Sequence, residues 1–201
     1  MKSTGPSGFE VRPAKAVDVP ALAAVHLASW LACYRGLIAD SWLDSLSTEN
    51  FAAYHRPRFA ASWPHGVDPN EPFVVAMEGS GDRIVGLARG GPTRALSPTG
   101  DPLAPGFAER FSAEVYAIYV HPAMHGRGIG RMLMQRIAGD LLNLDHASLC
   151  IWVLAGNAGA RGFYERLGGV QVERGVVTLG GVAYPQVAYG WKDIRVLTAA
   201  G

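Results

Sequence analysis

The sequence predicts an α+β domain built on a mixed sheet, mostly antiparallel, with one parallel βαβ unit at its centre. Three observations predict it. Two pairs of apolar β-rich runs are joined by short glycine turns and read as hairpins. Between them an apolar strand, Glu114 to Val120, leads through the turn His125 to Gly130 into an apolar-striped helix and then a buried strand, Ser148 to Val153. The remaining helices are segregated from the strands rather than alternating with them, which weighs against a doubly wound fold.

The elements follow in order. Residues 1–8 lack core formers and are expected as a flexible lead-in, leaving residues 9–201 as a single domain. Phe9 to Arg12 reads as a short strand. Asp18 is a suitable N-cap for a helix that places Val19, Leu22, Val25, His26, Ser29 and Trp30 on related faces and ends near Gly36. A short helical piece, Trp42 to Leu46, precedes a helix from about Thr48, capped by Ser47 or Thr48, to near Phe59, broken by Trp63-Pro64-His65-Gly66. Phe73 to Met77 and Ile84 to Arg89 form the first hairpin across Gly79 to Asp82. Gly90 to Gly106, dense in proline and glycine, reads as a long surface loop of the kind that lines sites. After the central βαβ unit, a helix from Ala158 to Arg166 ends at Gly168-Gly169. Val170 to Leu179 and Val182 to Trp191 then close a hairpin on Gly180-Gly181.

Bulk properties exclude several classes. The 201 residues carry 18 Lys plus Arg against 17 Asp plus Glu, a net charge of +1, so no overall field favours nucleic acid or a membrane. No apolar run is read as reaching the ~18 residues of a membrane helix, and the start lacks a signal-peptide core. Cys33 and Cys150 have neither metal nor redox spacing, which suits free thiols in a cytoplasmic protein. His, Cys, Asp and Glu nowhere show metal-site spacing, and no Gly-x-Ser-x-Gly elbow or Cys-His pairing suggests a hydrolase.

The informative segment is His125-Gly126-Arg127-Gly128-Ile129-Gly130. A helix start has unpaired N–H groups and the positive end of its dipole, and glycines let backbone approach an anion without a Cβ in the way. The segment therefore reads as a phosphate cradle, with Arg127 and Arg131 adding charge. Its glycines are two apart and no Lys-Ser/Thr pair follows, so it is neither a dinucleotide fingerprint nor a nucleoside-triphosphate loop.

This turn, answering to Gln/Arg-x-x-Gly-x-Gly/Ala, is joined by a second block, Asn157 to Gly169, close to Asn-x-x-Ala-x-x-Phe-Tyr-Glu-x-Leu-Gly-Phe. With both blocks in order, the chain resembles the GNAT superfamily of acyl-CoA-dependent N-acetyltransferases from Phe9 onward. His125 departs from the pattern by replacing Gln or Arg. The resemblance implies the GNAT-like fold, acetyl-CoA as cosubstrate, a small-molecule amine as acceptor, and, from family habit, a homodimer. It implies that the arm of the cosubstrate lies beside the central strand at Ile118, Tyr119 and Val120. Its pyrophosphate would sit on backbone between His125, Gly126, Arg127, Gly128, Ile129, Gly130 and Arg131, with Asn157 adding a contact.

For the chemistry, the resemblance implies Tyr164 as the acid that protonates the departing sulfur, a role a phenol with a reference pKa of about 10 can fill. Glu114, eleven residues ahead of His125, has the spacing of the catalytic base in the histone-acetylating branch, with a water relay as the competing route. Period-two alternation puts Glu114, Tyr116, Ile118 and Val120 on one face. Trp30, Tyr34 and Tyr116, with Trp42 and Phe107 as further aromatics, are the expected acceptor-side residues. Direct attack in a ternary complex is the first expectation. Acetylation of a protein N-terminus or lysine, and a non-catalytic acyl-CoA-binding regulatory domain, are the alternatives.

Overall fold

The computed structural model describes residues 8–59, 68–79, 83–94 and 106–199. The expected lead-in before Gly8, the break at Trp63 to Gly66 and the turn at Ser80 to Asp82 lie outside them. The strands are β1 (Phe9–Pro13), β2 (Phe73–Glu78), β3 (Arg83–Pro92), β4 (Ala113–Val120), β5 (Leu149–Leu154), β6 (Val170–Leu179) and β7 (Val182–Trp191). The helices are α1 (Val19–Tyr34), α2 (Asp40–Asp44), α3 (Thr48–His55), α4 (Phe107–Arg110), α5 (Ile129–Leu142) and α6 (Ala158–Arg166). One sheet of seven strands runs β1-β2-β3-β4-β5-β7-β6, antiparallel throughout except for β4 beside β5. This is the mixed α+β arrangement the sequence predicts.

Helix α5 packs across the sheet because Ile129, Leu133, Ile137 and Leu141 recur every fourth residue and are fully buried. Two glycines of β3 set how closely it approaches. A Cβ on Gly86 would stand 3.0 Å from Leu133 Cδ1, and one on Gly90 would stand 3.2 Å from Ile137 Cγ2. Gly90 and Gly91 therefore belong to β3, paired with Val115 and Glu114, and not to the surface loop expected from Gly90 onward. The glycines there mark close packing rather than a turn.

Other boundaries also shift for physical reasons. Asp18 stands at the N-cap of α1 as expected, but its side chain makes no capping bond to the helix. Its carboxylate takes two bonds from Arg12, at 2.7 and 2.8 Å, and one from the Lys15 N–H at 2.8 Å. Helix α3 is capped by Ser47, which accepts from Asn50 N–H. It stops at His55 and continues as a 3-10 turn from Arg56 to Phe59, since Pro57 cannot extend the α-helical bonding. The helical stretch from Ala16 to Tyr34, 19 residues at mean hydropathy 1.5, is long and apolar enough to cross a membrane, contrary to the sequence reading. Its apolarity comes from three valines and three leucines, with six alanines adding less. In this fold Leu22 and Val25 pack on the sheet, and Val19 and Ala23 pack on Phe51 and Ala52 of α3.

Between α1 and α3, His26 Nδ1 lies 3.1 Å from His55 Nε2, a partner that sequence gives no means of assigning. Both rings are buried, and Tyr119 stacks on His26 at 4.2 Å between centroids. Burial, then the Arg58 and Arg89 charges, push His55 down to about 4. Burial, then His55 and Arg58, hold His26 well below its ordinary range. The unfolded chain thus binds protons near pH 6.5 that the folded chain refuses, so stability is lost as pH falls from there toward 4. Each group contributes a slope of up to ~1.4 kcal/mol per pH unit. Urea unfolding between pH 7 and 5 should show this slope, and a His26→Leu/His55→Leu double variant should flatten it. Equal slopes would contradict the assignment.

Candidate active site

The parallel pairing of β4 and β5 covers only Ala113 with Leu149, Glu114 with Cys150 and Val115 with Ile151. Beyond Val115 the two strands separate and a cleft of about 650 Å³ opens between them. Its walls are β4 from Tyr116 to Val120, β5 at Ile151, Trp152 and Val153, the end of α1, and α6. His121 N–H bonds Val85 O in β3, so by alternation the N–H groups of Ile118 and Val120 point away from β3 into the cleft. Val120 C=O faces the same way and accepts from Ser29 Oγ at 2.9 Å and His125 Nε2 at 3.0 Å.

One end of the cleft is the start of α5. Gly128 is its N-cap with φ 80°, Gly126 has φ 76°, and no side chain caps the helix. Left-handed backbone at both positions requires glycine. A Cβ on Gly130 would stand 3.2 Å from Phe163 Cζ, so α6 closes down on this turn. The free N–H groups and the helix dipole make this end a seat for an anion. Arg131 lines it, as does Arg166 at the end of α6, which the sequence reading missed. Asn157 lines the cleft too, and its side chain accepts from Ala160 N–H at 3.0 Å, capping α6.

Tyr164 stands on the α6 wall, 5% exposed, with its ring against Phe163, Tyr189 and Trp191. Its hydroxyl has no hydrogen-bond partner among the described residues. Burial pushes the phenol above its ordinary value, and the neighbouring Tyr119 and Cys33 add to this. Tyr34 is raised likewise, first by burial and then by Tyr164 and Cys33. Tyr34, Tyr119, Tyr164 and Cys33 therefore form one protonated cluster at the middle of the cleft.

Several expected site residues stand elsewhere. Glu114 does not line the cleft: it is 1% exposed, and its two oxygens take Arg94 Nη2, Arg94 Nε at 3.1 Å and Arg94 N–H at 3.3 Å. Nor does it share a face with Ile118 and Val120. In the β3–β4 ladder Arg89 pairs with Ala117 and Gly90 with Val115, leaving Tyr116 as an unpaired bulge residue that reverses the alternation. Ile118 and Val120 consequently pack with Val115 toward α5, while Ala117 and Tyr119 face α1. Tyr116 borders the cleft with its hydroxyl on Pro92 O at 2.6 Å, its ring beneath the guanidinium groups of Arg89 and Arg94.

Arg127 turns out of the cleft, onto Glu78 at 3.2 Å and the Phe9 ring. Trp30 is absent from the lining; its ring packs among Tyr34, Trp42 and Phe51. Phe107 is buried with Phe111 and Cys150, and Trp42 lies over Gly180. In their place, Ser29 and Cys33 contribute from α1. Their four-residue spacing marks one helix face, the signal that would have found them. The same spacing joins Ala160 with Tyr164 on α6, and Phe163 with the C-cap residue Leu167.

Fold and cleft together define the class: the chain belongs to the acetyltransferase (GNAT) family, whose model matches residues 39–169. In sequence it is similar to the uncharacterized N-acetyltransferase YuaI of Bacillus subtilis, 29% identical over 93% of this chain and 95% of that protein. In structure it is similar to yncA from Salmonella typhimurium, solved with acetyl-CoA, at 20% identity and a TM-score of 0.61, covering 92% of this chain and 94% of that one. It is also similar to the PaiA N-acetyltransferase from Thermoplasma acidophilum in complex with coenzyme A, at 17% identity and a TM-score of 0.64, covering 89% and 97%.

The Glu114–Arg94 pair is testable as a structural element. Arg94→Met strands a buried carboxylate and should destabilise the fold by ~3 kcal/mol, the lower end for a broken buried pair because Arg94 is partly in water. Urea unfolding at neutral pH measures it. An unchanged midpoint would show that the pair contributes nothing.

Proposed function

We propose that this protein is an acetyl-CoA-dependent N-acetyltransferase that acylates the amine of a small molecule by direct attack in a ternary complex. The observation that carries the proposal is the alignment, in one cleft, of an open strand edge, an uncapped glycine-rich helix start and an unpartnered buried phenol. These fit an acyl carrier: the open N–H groups of Ile118 and Val120 suit its amide-bearing arm, and the turn from Gly126 to Arg131 suits its diphosphate. Family membership and the complexes of its structural relatives support the same cosubstrate.

When bound, acetyl-CoA supplies an activated thioester. The chain then has three tasks. Main-chain N–H at Ile118 or Val120 polarises the carbonyl, where charge develops during transfer. Tyr164 keeps its proton by burial and gives it to the departing sulfur as negative charge develops on that atom. The proton leaving the amine goes to water in the open cleft, because Glu114, the carboxylate expected for this task, is held by Arg94 outside it. Cys33 is the thiol on the cleft wall and burial keeps it protonated, which favours direct transfer over an acyl-enzyme. Tyr34, Tyr116 and Trp152 give the cleft aromatic walls suited to the stem and cation of a small amine. Free Cys33 and Cys150 agree with a cytoplasmic setting.

CoA release measured against small amines, peptides and no acceptor tests the proposal; turnover confined to peptides would overturn its substrate class, and binding without turnover would overturn the enzymatic reading. Tyr164→Phe should lower kcat by ~10² to 10⁴ with acetyl-CoA affinity nearly unchanged, and an unaltered kcat would remove the acid role. Gly128→Asp should abolish acetyl-CoA binding through strained left-handed backbone and a misplaced negative charge. Retained affinity by calorimetry would count against the cradle.

A further inference from the structure

We infer that Cys33 is a site of reversible modification by coenzyme A itself, formed as a mixed disulfide that plugs the cleft. The inference rests on the acetyl-CoA seat proposed above and extends it to oxidising conditions.

Cys33 lies in the last turn of α1 and lines the cleft together with Tyr34 and Tyr164. Burial raises the pKa of this thiol and of both phenols alike, and all three face the one cleft. Independently, the Tyr164 hydroxyl, on a side chain only 5% exposed and without a hydrogen-bond partner among the described residues, is aimed into the same chamber. That hydroxyl is the group assigned to meet the sulfur of the cosubstrate. A docked coenzyme A therefore brings its sulfur into the neighbourhood of Cys33. Cys150 is the contrast inside the same molecule: fully buried beside Phe107 and Phe111, it has no route to a ligand.

The reacting partner is coenzyme A disulfide. The Cys33 thiolate attacks one of its two sulfurs, a new Sγ–S bond forms as the old S–S bond breaks, and the departing coenzyme A thiolate takes up the proton that Cys33 released. Cys33 is oxidised, and one half of the disulfide is reduced to a thiol. Burial keeps thiolate scarce at Cys33, so undocked disulfides react slowly. A disulfide held by the phosphate cradle gains the effective concentration of an intramolecular reaction, of order 10²-fold or more. Selectivity between disulfides is thus the signature of the site.

The test uses the full-length reduced protein. It is incubated with coenzyme A disulfide or with glutathione disulfide at equal concentration, and adducts are located by mass spectrometry of peptides. The expected result is a coenzyme A adduct on Cys33, formed at least ~10²-fold faster than the glutathione adduct. It should be slowed by saturating acetyl-CoA, reversed by dithiothreitol, and absent from Cys33→Ser. Equal rates with the two disulfides, an adduct on Cys150 instead, or no adduct would overturn the inference. Calorimetry of acetyl-CoA on the wild-type protein separates the two readings. Binding without a Cys33 adduct sinks this inference alone, whereas no binding sinks the proposed cosubstrate seat as well.

Discussion

A parallel strand pair that stops after three residue pairs is the constraint on which the rest of this structure depends. Val115 and Ile151 are the last partners of β4 and β5, and the backbone of Ile118 and Val120 is left facing an opening in the middle of a sheet. Unpaired strand edges are normally covered or paired, because buried amide groups without partners cost as much as a lost hydrogen bond. Here the cover is partial. Ser29 and His125 both donate to Val120 C=O, while the N–H groups of Ile118 and Val120 remain directed at the cleft. An extended, amide-bearing ligand is the partner that such an edge lacks.

The charges around the opening are divided by function. At one end lie the α5 start, Arg131 and Arg166, a positive seat built on glycine backbone. At the other, Arg94 and Glu114 neutralise each other and Tyr116 sits beneath Arg89 and Arg94, so these charges hold strands β3 and β4 together. The middle holds phenols and a thiol that burial keeps protonated. A proton donor there needs no ionised neighbour, only exclusion from water.

Much of this was legible in the residues. The glycines from 126 to 130 announced a backbone cradle at a helix start, and the hairpins announced antiparallel edges around one parallel crossover. What could not be read was phase and orientation. A single bulge residue, Tyr116, reverses the inward and outward order of β4, so counting by twos from Glu114 puts the carboxylate on the wrong face. Arg127 and Arg131 look alike in the sequence, yet one is drawn to Glu78 across the sheet edge and the other stays on the cleft. The His26–His55 contact joins residues 29 apart through helix packing, which no local pattern encodes.

Amide hydrogen exchange, residue by residue, with and without saturating acetyl-CoA, reads whether the open strand edge and the helix start receive this ligand. Slowed exchange is expected at Ile118 and Val120 together with the start of α5 at Ile129 to Arg131, because these N–H groups gain their missing acceptors. Saturable binding that leaves those amides unprotected would contradict this.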